Sequence, residues 1–252
     1  MKYLILGGSS GIGKSVAKHV LKKSNEVIIS GRSENKLKTT IEELSKFGKL
    51  SSLQLDLSNI DSVSNAIDSY IKIHKSIDGL VINGPLPTLK PFASCKFEDW
   101  QKATNEIILS SVIIIKKLLP LLKKGSSVVF ILSDTSKAAG SGKSISVSLR
   151  LGLSGLMKSL AIEYAEKGIR FNAVSPGPTN TDRAKALFKK NAENKNVTFD
   201  VYKKEFINNL PSKRLVEADE IGEIVCFLLC NNSISLTGAN VSCDGALTSI
   251  PL

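Results

Sequence analysis

The chain has 252 residues, 42% of them hydrophobic, with 34 Lys and Arg against 23 Asp and Glu, a formal charge of +11. That apolar share excludes a disordered chain, and an α/β sheet of this length is expected to form one domain over 1–252. The surplus cations fall in scattered pairs such as Lys22 and Lys23, Lys116 and Lys117, or Lys189 and Lys190, with no aromatic platform between them. This argues for solvated helix faces and against a nucleic-acid partner.

In chain order, short β-branched runs alternate with longer amphipathic stretches: YLIL (3–6), EVIIS (26–30), LSSLQL (50–55), GLVIN (79–83), SSVVFIL (126–132) and IRFNAV (169–174). Such alternation predicts βαβ units and a mostly parallel sheet, and the unbroken apolar character of the runs predicts helices on both faces. The apolar run at 107–122 is interrupted by Lys116, Lys117 and Pro120, and the one at 3–6 is too short for a leader core. The expectation is a cytoplasmic protein without a membrane partner. Cys95, Cys226, Cys230 and Cys243 show no metal-ligand spacing and read as free thiols; no metal site is expected. The polar stretch from Thr181 to Pro211 is expected to lie as a substrate lid above the strand ends. Ile113, Ile114, Leu153, Leu156 and Leu160 add apolar surface that one sheet face hardly covers, which points to a homodimer or homotetramer.

Residues 7–15, GGSSGIGKS, satisfy two phosphate-binding patterns. Gly7, Gly11 and Gly13 match the dinucleotide form, whereas Gly8, Gly13, Lys14 and Ser15 fit the GxxxxGK[ST] loop of nucleoside triphosphatases. In both, glycines let backbone N–H groups approach phosphate oxygens at the positive end of a helix. The loop alone leaves both open. The second run ends Ser30-Gly31-Arg32, where an NAD-specific fold places a carboxylate for the ribose 2′-hydroxyl. Arg32 offers instead a fork suited to a 2′-phosphate, so NADP(H) is favoured over NAD(H).

Taken together, GGSSGIG (7–13), SGR (30–32), LDL (55–57), LVING (80–84), GIRFNAVSPGPTNTD (168–182), RLVEADEIGEIVCFLL (214–229) and LTGANVSCDGA (236–246) resemble the short-chain dehydrogenase/reductase family in order and spacing. A triphosphatase would account for little beyond the first. The resemblance implies an α/β, doubly wound parallel sheet of Rossmann type, about seven strands with helices on both faces. It implies that Gly7, Ser9, Ser10, Gly11, Ile12 and Gly13 line the pyrophosphate and that Asp56 and Leu57 meet the adenine. Asn83 and Gly84 would pack beside the ribose, and Pro176, Gly177, Thr179 and Thr181 would hold the nicotinamide amide. The implied activity is that of an NADP(H)-dependent oxidoreductase on a small carbonyl or alcohol, a carrier-bound acyl thioester being one candidate.

The catalytic positions depart from the family's Asn, Ser, Tyr and Lys set. Counting back from GLSGLMKSLAIEY puts Ser146 at the Tyr position and Arg150 at the Lys position, and Ile107 falls at the Asn position. Ser133 remains, thirteen residues before Ser146. A serine hydroxyl is less acidic and shorter than a phenol, and a guanidinium does not release its proton. Arg150, one turn along the helix, could still bind the nicotinamide ribose. Tyr164 would lie roughly 27 Å along the same helix, which leaves Tyr202 as the one phenol with a route to the site. Asp134 and Lys143 are near in sequence and read first as solvated loop residues. Two functions follow: an enzyme in which Ser133, Ser146 and Arg150 form an atypical site, or an NADP(H)-binding sensor or scaffold without turnover.

Overall fold

The computed structural model describes residues 1–230, 233 and 235–249. Its strands are β1 (Lys2–Ile5), β2 (Glu26–Gly31), β3 (Leu50–Gln54), β4 (Ile77–Asn83), β5 (Leu122–Ile131), β6 (Arg170–Pro176), β7 (Thr179–Asn180), β8 (Val216–Glu217) and β9 (Asn240–Cys243). Seven of them form one parallel sheet in the order β3-β2-β1-β4-β5-β6-β9, while β7 and β8 pair separately. The order reverses between β1 and β4, which opens a crevice above their carboxyl ends. The expected parallel α/β sheet is therefore present. Its seventh strand, β9, lies within the LTGANVSCDGA stretch, whose short and half-exposed run carries no strong strand pattern.

The helices are α1 (Gly11–Leu21), α2 (Glu34–Leu44), α3 (Ile60–Ile73), α4 (Phe97–Thr104), α5 (Ser110–Leu118), α6 (Ser144–Glu163), α7 (Asp182–Asn194), α8 (Phe199–Asn208) and α9 (Ala218–Leu229). Consecutive strand residues point to opposite faces, and both faces are covered. Leu4, Leu80, Val128 and Phe171 pack with Val63 and Ile67 of α3, Ile114 of α5 and Leu153 of α6. Ile5, Val27, Val81 and Val129 pack with Val16 of α1, Leu37 of α2 and Ile221 of α9. Each such side chain, removed from water, contributes about 1.5–3 kcal/mol before entropy is subtracted. The unbroken apolar strands are thus the sequence of a sheet with two buried faces.

Side chains set several helix starts. Ser33, Asn59, Thr181 and Thr198 each accept a backbone N–H in the first turn of α2, α3, α7 and α8. The 181–211 segment is helical: α7 and α8 share a small core of Phe188, Leu210 and Leu215, closed by Tyr202 and Phe206. Its polar composition reflects exposed helix faces. Of the five residues expected to pack on a second subunit, Ile114 and Leu153 are buried in the chain's own core, and Ile113, Leu156 and Leu160 pack against it. The exposed apolar groups on this stretch include Leu109, Val112, Leu151 and Ile162. Helix α6 is long and apolar enough to cross a membrane by length and composition, and it packs Leu153, Met157 and Ala161 into the core.

Candidate active site

The crevice begins at the turn from β1 into α1. Gly7 and Gly11 have φ of +60° and +50°, a left-handed backbone that glycine adopts without a Cβ clash. A Cβ on Gly13 would lie 2.2 Å from the Gly7 carbonyl oxygen, and one on Gly7 would lie 2.9 Å from Asn83 Nδ2. The three glycines therefore let the loop fold onto the end of β4. Ser10 precedes α1 with extended backbone and makes no side-chain cap, so the first N–H groups of the helix keep no side-chain partner there. Ser9 packs beside Gly31 and its carbonyl accepts from Thr40 Oγ1 at 3.1 Å, while Ile12 packs against the second core.

This geometry separates the two readings of the loop. Lys14 is ion-paired with Glu43 of α2, and Ser15 is buried with its hydroxyl directed to Asp219 of α9 at 3.3 Å. Neither side chain serves the loop, as a triphosphatase would require. A dinucleotide needs only the glycines and the helix N-terminus, and those fit it: the space a Cβ would fill is what a pyrophosphate approaches.

Around the crevice the other residues singled out from the sequence stand at strand ends. Arg32 follows β2, exposed, with its carbonyl taking a bond from Gln54 Nε2. Asp56, after β3, uses Oδ1 to accept Ser58 N and Oγ at 3.0 and 2.8 Å, and Leu57 packs on the first core. A Cβ on Gly84 would make only ordinary contact, with the Glu106 carbonyl oxygen at 3.7 Å. Pro176 ends β6, and a Cβ on Gly177 would meet Asp244 Cα at 2.8 Å. Thr179 Oγ1 bonds the Gly177 carbonyl at 2.8 Å. Thr181 caps α7, and its methyl lies 3.3 Å from where a Gly11 Cβ would be. The structure thus draws the glycine loop, Asn83 and Thr181 into mutual contact.

Two further residues enter the crevice that sequence reasoning did not single out. Between α4 and α5 the helix widens into a π-turn, Asn105–Leu109. Ile107 is buried in the core, whereas Glu106 faces Lys102, Asp56, Arg32 and Arg183. Burial pushes the Glu106 carboxyl up, with Asp56 adding to the effect and the three cations opposing it. From the first turn of α7, Arg183 reaches across to the Leu86 carbonyl at 2.6 Å, and burial lowers its pKa. The string TDR at 181–183 carries Arg183, but nothing in its spacing shows which way the side chain turns.

Beyond β5 lie the catalytic candidates. Ser133 is half-buried, and its hydroxyl donates to Asp134 Oδ1 at 2.5 Å. Ser146 has no exposed surface and pairs with Thr135 Oγ1 at 2.9 Å. Arg150 is 4% exposed; Nη1 donates to the Ile131 carbonyl at 2.8 Å and Nη2 to the Pro85 carbonyl at 3.0 Å, joining the ends of β5 and β4. Its pKa is lowered to about 10, by burial first and then by Arg183, against the pull of Asp134. Tyr202 lies in the lid core, where its hydroxyl accepts from Asn191 at 3.1 Å. Among the described residues no group of three His, Cys, Asp or Glu side chains could hold a metal.

A family model described as enoyl-(acyl carrier protein) reductase matches residues 7–248. A 3-oxoacyl-[acyl-carrier-protein] reductase, FabG, of Buchnera aphidicola subsp. Acyrthosiphon pisum is 29% identical over 245 residues, 96% of this chain and 95% of that protein. A short chain dehydrogenase family protein from Francisella tularensis is 30% identical with a TM-score of 0.87, covering 99% of both chains. A polyketide ketoreductase of actinorhodin synthesis, solved with NADPH, is 22% identical with a TM-score of 0.92 over 99% of this chain and 97% of that one, a likeness of fold.

Proposed function

Because the chain belongs to the short-chain dehydrogenase/reductase family and is an oxidoreductase of that type, we propose that it transfers hydride between NADP(H) and a carbonyl or alcohol substrate. The observation that carries the cofactor choice is Arg32. It stands exposed at the end of β2, with no carboxylate in the place where one would bond a ribose 2′-hydroxyl. A guanidinium there matches the geometry and charge of a 2′-phosphate.

When bound, the nicotinamide supplies or accepts the hydride. The chain's own residues do the rest. The glycine loop and the start of α1 hold the pyrophosphate; Asn83 and Gly84 flank the ribose; Pro176 to Thr181 wall the nicotinamide. Arg150 fixes the ends of β4 and β5 and places a buried positive charge behind the reacting carbonyl, where developing negative charge is stabilised. The substrate we favour is an acyl thioester carried by an acidic protein, in line with the relatives' names and with the +11 charge, which would steer such a partner. The four free thiols suit a reducing compartment, and we place the protein in the cytoplasm. Leu109, Val112 and Leu151, exposed along the π-turn, α5 and α6, form the face by which two copies would associate.

A second reading, cofactor binding without turnover, draws support from the same buried residues: Ser146 is spent on Thr135 and both forks of Arg150 on backbone carbonyls. One experiment separates them. The protein is titrated with NADPH and NADH, following Trp100 fluorescence, and then incubated with NADPH and a panel of 3-oxoacyl thioesters and cyclic ketones. Tight NADPH binding with substrate-dependent oxidation supports the enzyme; binding with no oxidation by any substrate supports the second reading; no binding of either dinucleotide sinks both.

A further inference from the structure

Beside Arg150 three polar groups form a chain that the packing of the fold does not call for. Ser133, at the end of β5, donates its hydroxyl to Asp134 Oδ1 at 2.5 Å. Lys143, the residue before α6, donates its ammonium to Asp134 Oδ2 at 3.4 Å. The chain runs from a half-buried hydroxyl among the catalytic candidates to an ammonium whose side chain is 37% exposed. Its polarity is fixed by chemistry, since an ionised carboxylate only accepts. With Asp134 ionised the Ser133 hydroxyl is therefore turned to the carboxylate, and its oxygen also accepts the Thr135 N–H at 3.4 Å; once Asp134 holds a proton that bond reverses and the Ser133 hydroxyl can donate to a second partner.

No phenol occupies this place. Tyr3 and Tyr70 are buried in the two faces of the sheet, Tyr164 ends α6 and Tyr202 is bonded to Asn191 in the lid. Ser146 is closed off by Thr135. Asp134 is ion-paired with Lys143 and exerts a weaker pull on the charge of Arg150.

We propose that Ser133, Asp134 and Lys143 form the proton path of the active site, joining the reacting oxygen of the substrate to solvent. The inference rests on the oxidoreductase reading. In reduction, Ser133 gives its O–H proton to the carbonyl oxygen as the carbon accepts a hydride, with its electron pair, from a reduced nicotinamide dinucleotide. The proton that replaces it comes from Lys143: the ammonium first protonates Asp134 Oδ2, the carboxyl rotates to turn that proton towards Ser133, and Ser133 Oγ takes it as its own proton leaves. The carboxylate ends as it began, and the neutral amine regains its proton from water. Alcohol oxidation is the same sequence reversed. Ser133 touches the substrate; Asp134 and Lys143 act through it.

The test compares wild type with Lys143→Arg, Lys143→Met and Asp134→Asn. Arginine keeps a cation opposite Asp134 but does not release a proton. With a proton path, kcat falls about 100-fold in both Lys143 variants. The KM for NADPH and the melting temperature stay at the wild-type values. An ion pair with a merely structural role would leave Lys143→Arg at the wild-type rate, and that result overturns the path. A readout free of turnover accompanies it: the proton spectrum of the protein without cofactor shows a downfield hydroxyl signal, lost in Ser133→Ala and in Asp134→Asn. Its absence from wild type overturns the inference. If wild type binds NADPH yet reduces no substrate, the path falls while the binding reading stands; if it binds neither dinucleotide, both fall.

Discussion

Arg32 and Arg150 show how differently two arginines are used in one groove. Arg32 is exposed, and in the proposed function its guanidinium meets the 2′-phosphate. Arg32→Ala should weaken NADPH binding about tenfold or more while leaving NADH binding within a factor of two, as a lost charge-assisted bond to phosphate requires; paired fluorescence titrations measure this. Arg150 is spent on the fold. Arg150→Met leaves the Ile131 and Pro85 carbonyls without their donor and should cost about 2 kcal/mol or more, read from denaturant midpoints. The tyrosines set the alkaline limit. Burial raises the Tyr3 pKa from 10.0 to about 12 and raises Tyr70 further. A phenol with a raised folded pKa stabilises the fold fully below pH 10, and that contribution is lost as pH climbs towards 12. Arg150, lowered from 12.5 to about 10, runs the other way, its unfolded form binding more protons over that window. Tyr3→Phe and Tyr70→Phe should each remove a loss of stability above pH 10, read from denaturant midpoints at pH 9 and 11 against wild type. Since the buried Tyr70 hydroxyl has no partner among the described residues, its phenylalanine variant should also be no less stable at pH 7.

At the scale of elements, legibility followed period and composition. The strands of the sheet interior were plain because two buried faces force continuous apolar runs, and the glycine loop was plain because its backbone excludes a Cβ. Gly13→Ala should abolish NADPH binding, whereas Gly155→Ala, in the exposed middle of α6 with nothing within 4 Å of its Cβ, should stabilise the protein by about 0.5–1 kcal/mol; calorimetry and titration distinguish the two. Other features were not legible. A π-turn has no composition of its own, so the sequence could not show that Ile107 turns into the core and Glu106 into the crevice. The lid appeared polar and irregular because only one face of α7 and of α8 is apolar. Hydrogen bonds between near neighbours, such as Ser133 with Asp134, depend on rotamers that no spacing encodes, which is why Asp134 and Lys143 first read as solvated loop residues.

For the whole molecule, charge and exposed apolar surface carry the remaining predictions. If Leu109, Val112 and Leu151 join two copies, Leu151→Glu should convert the assembly to monomer in sedimentation experiments, with the melting temperature becoming independent of protein concentration. Association of a carrier-bound substrate, steered by the +11 charge, should slow with rising salt in stopped-flow measurements.

One contact described above also bears on timing. The first turn of α7 rests on both banks of the crevice, with the Thr181 methyl against Gly11 and the Arg183 guanidinium on the Leu86 carbonyl. A dinucleotide must settle beneath that turn, and a substrate under the same lid would then seal it in. If both bind there, the nucleotide would enter first and leave last. Initial-rate studies should find oxidised nucleotide competing with NADPH at every substrate concentration, and Arg183→Ala, which unties one bank, should speed nucleotide release.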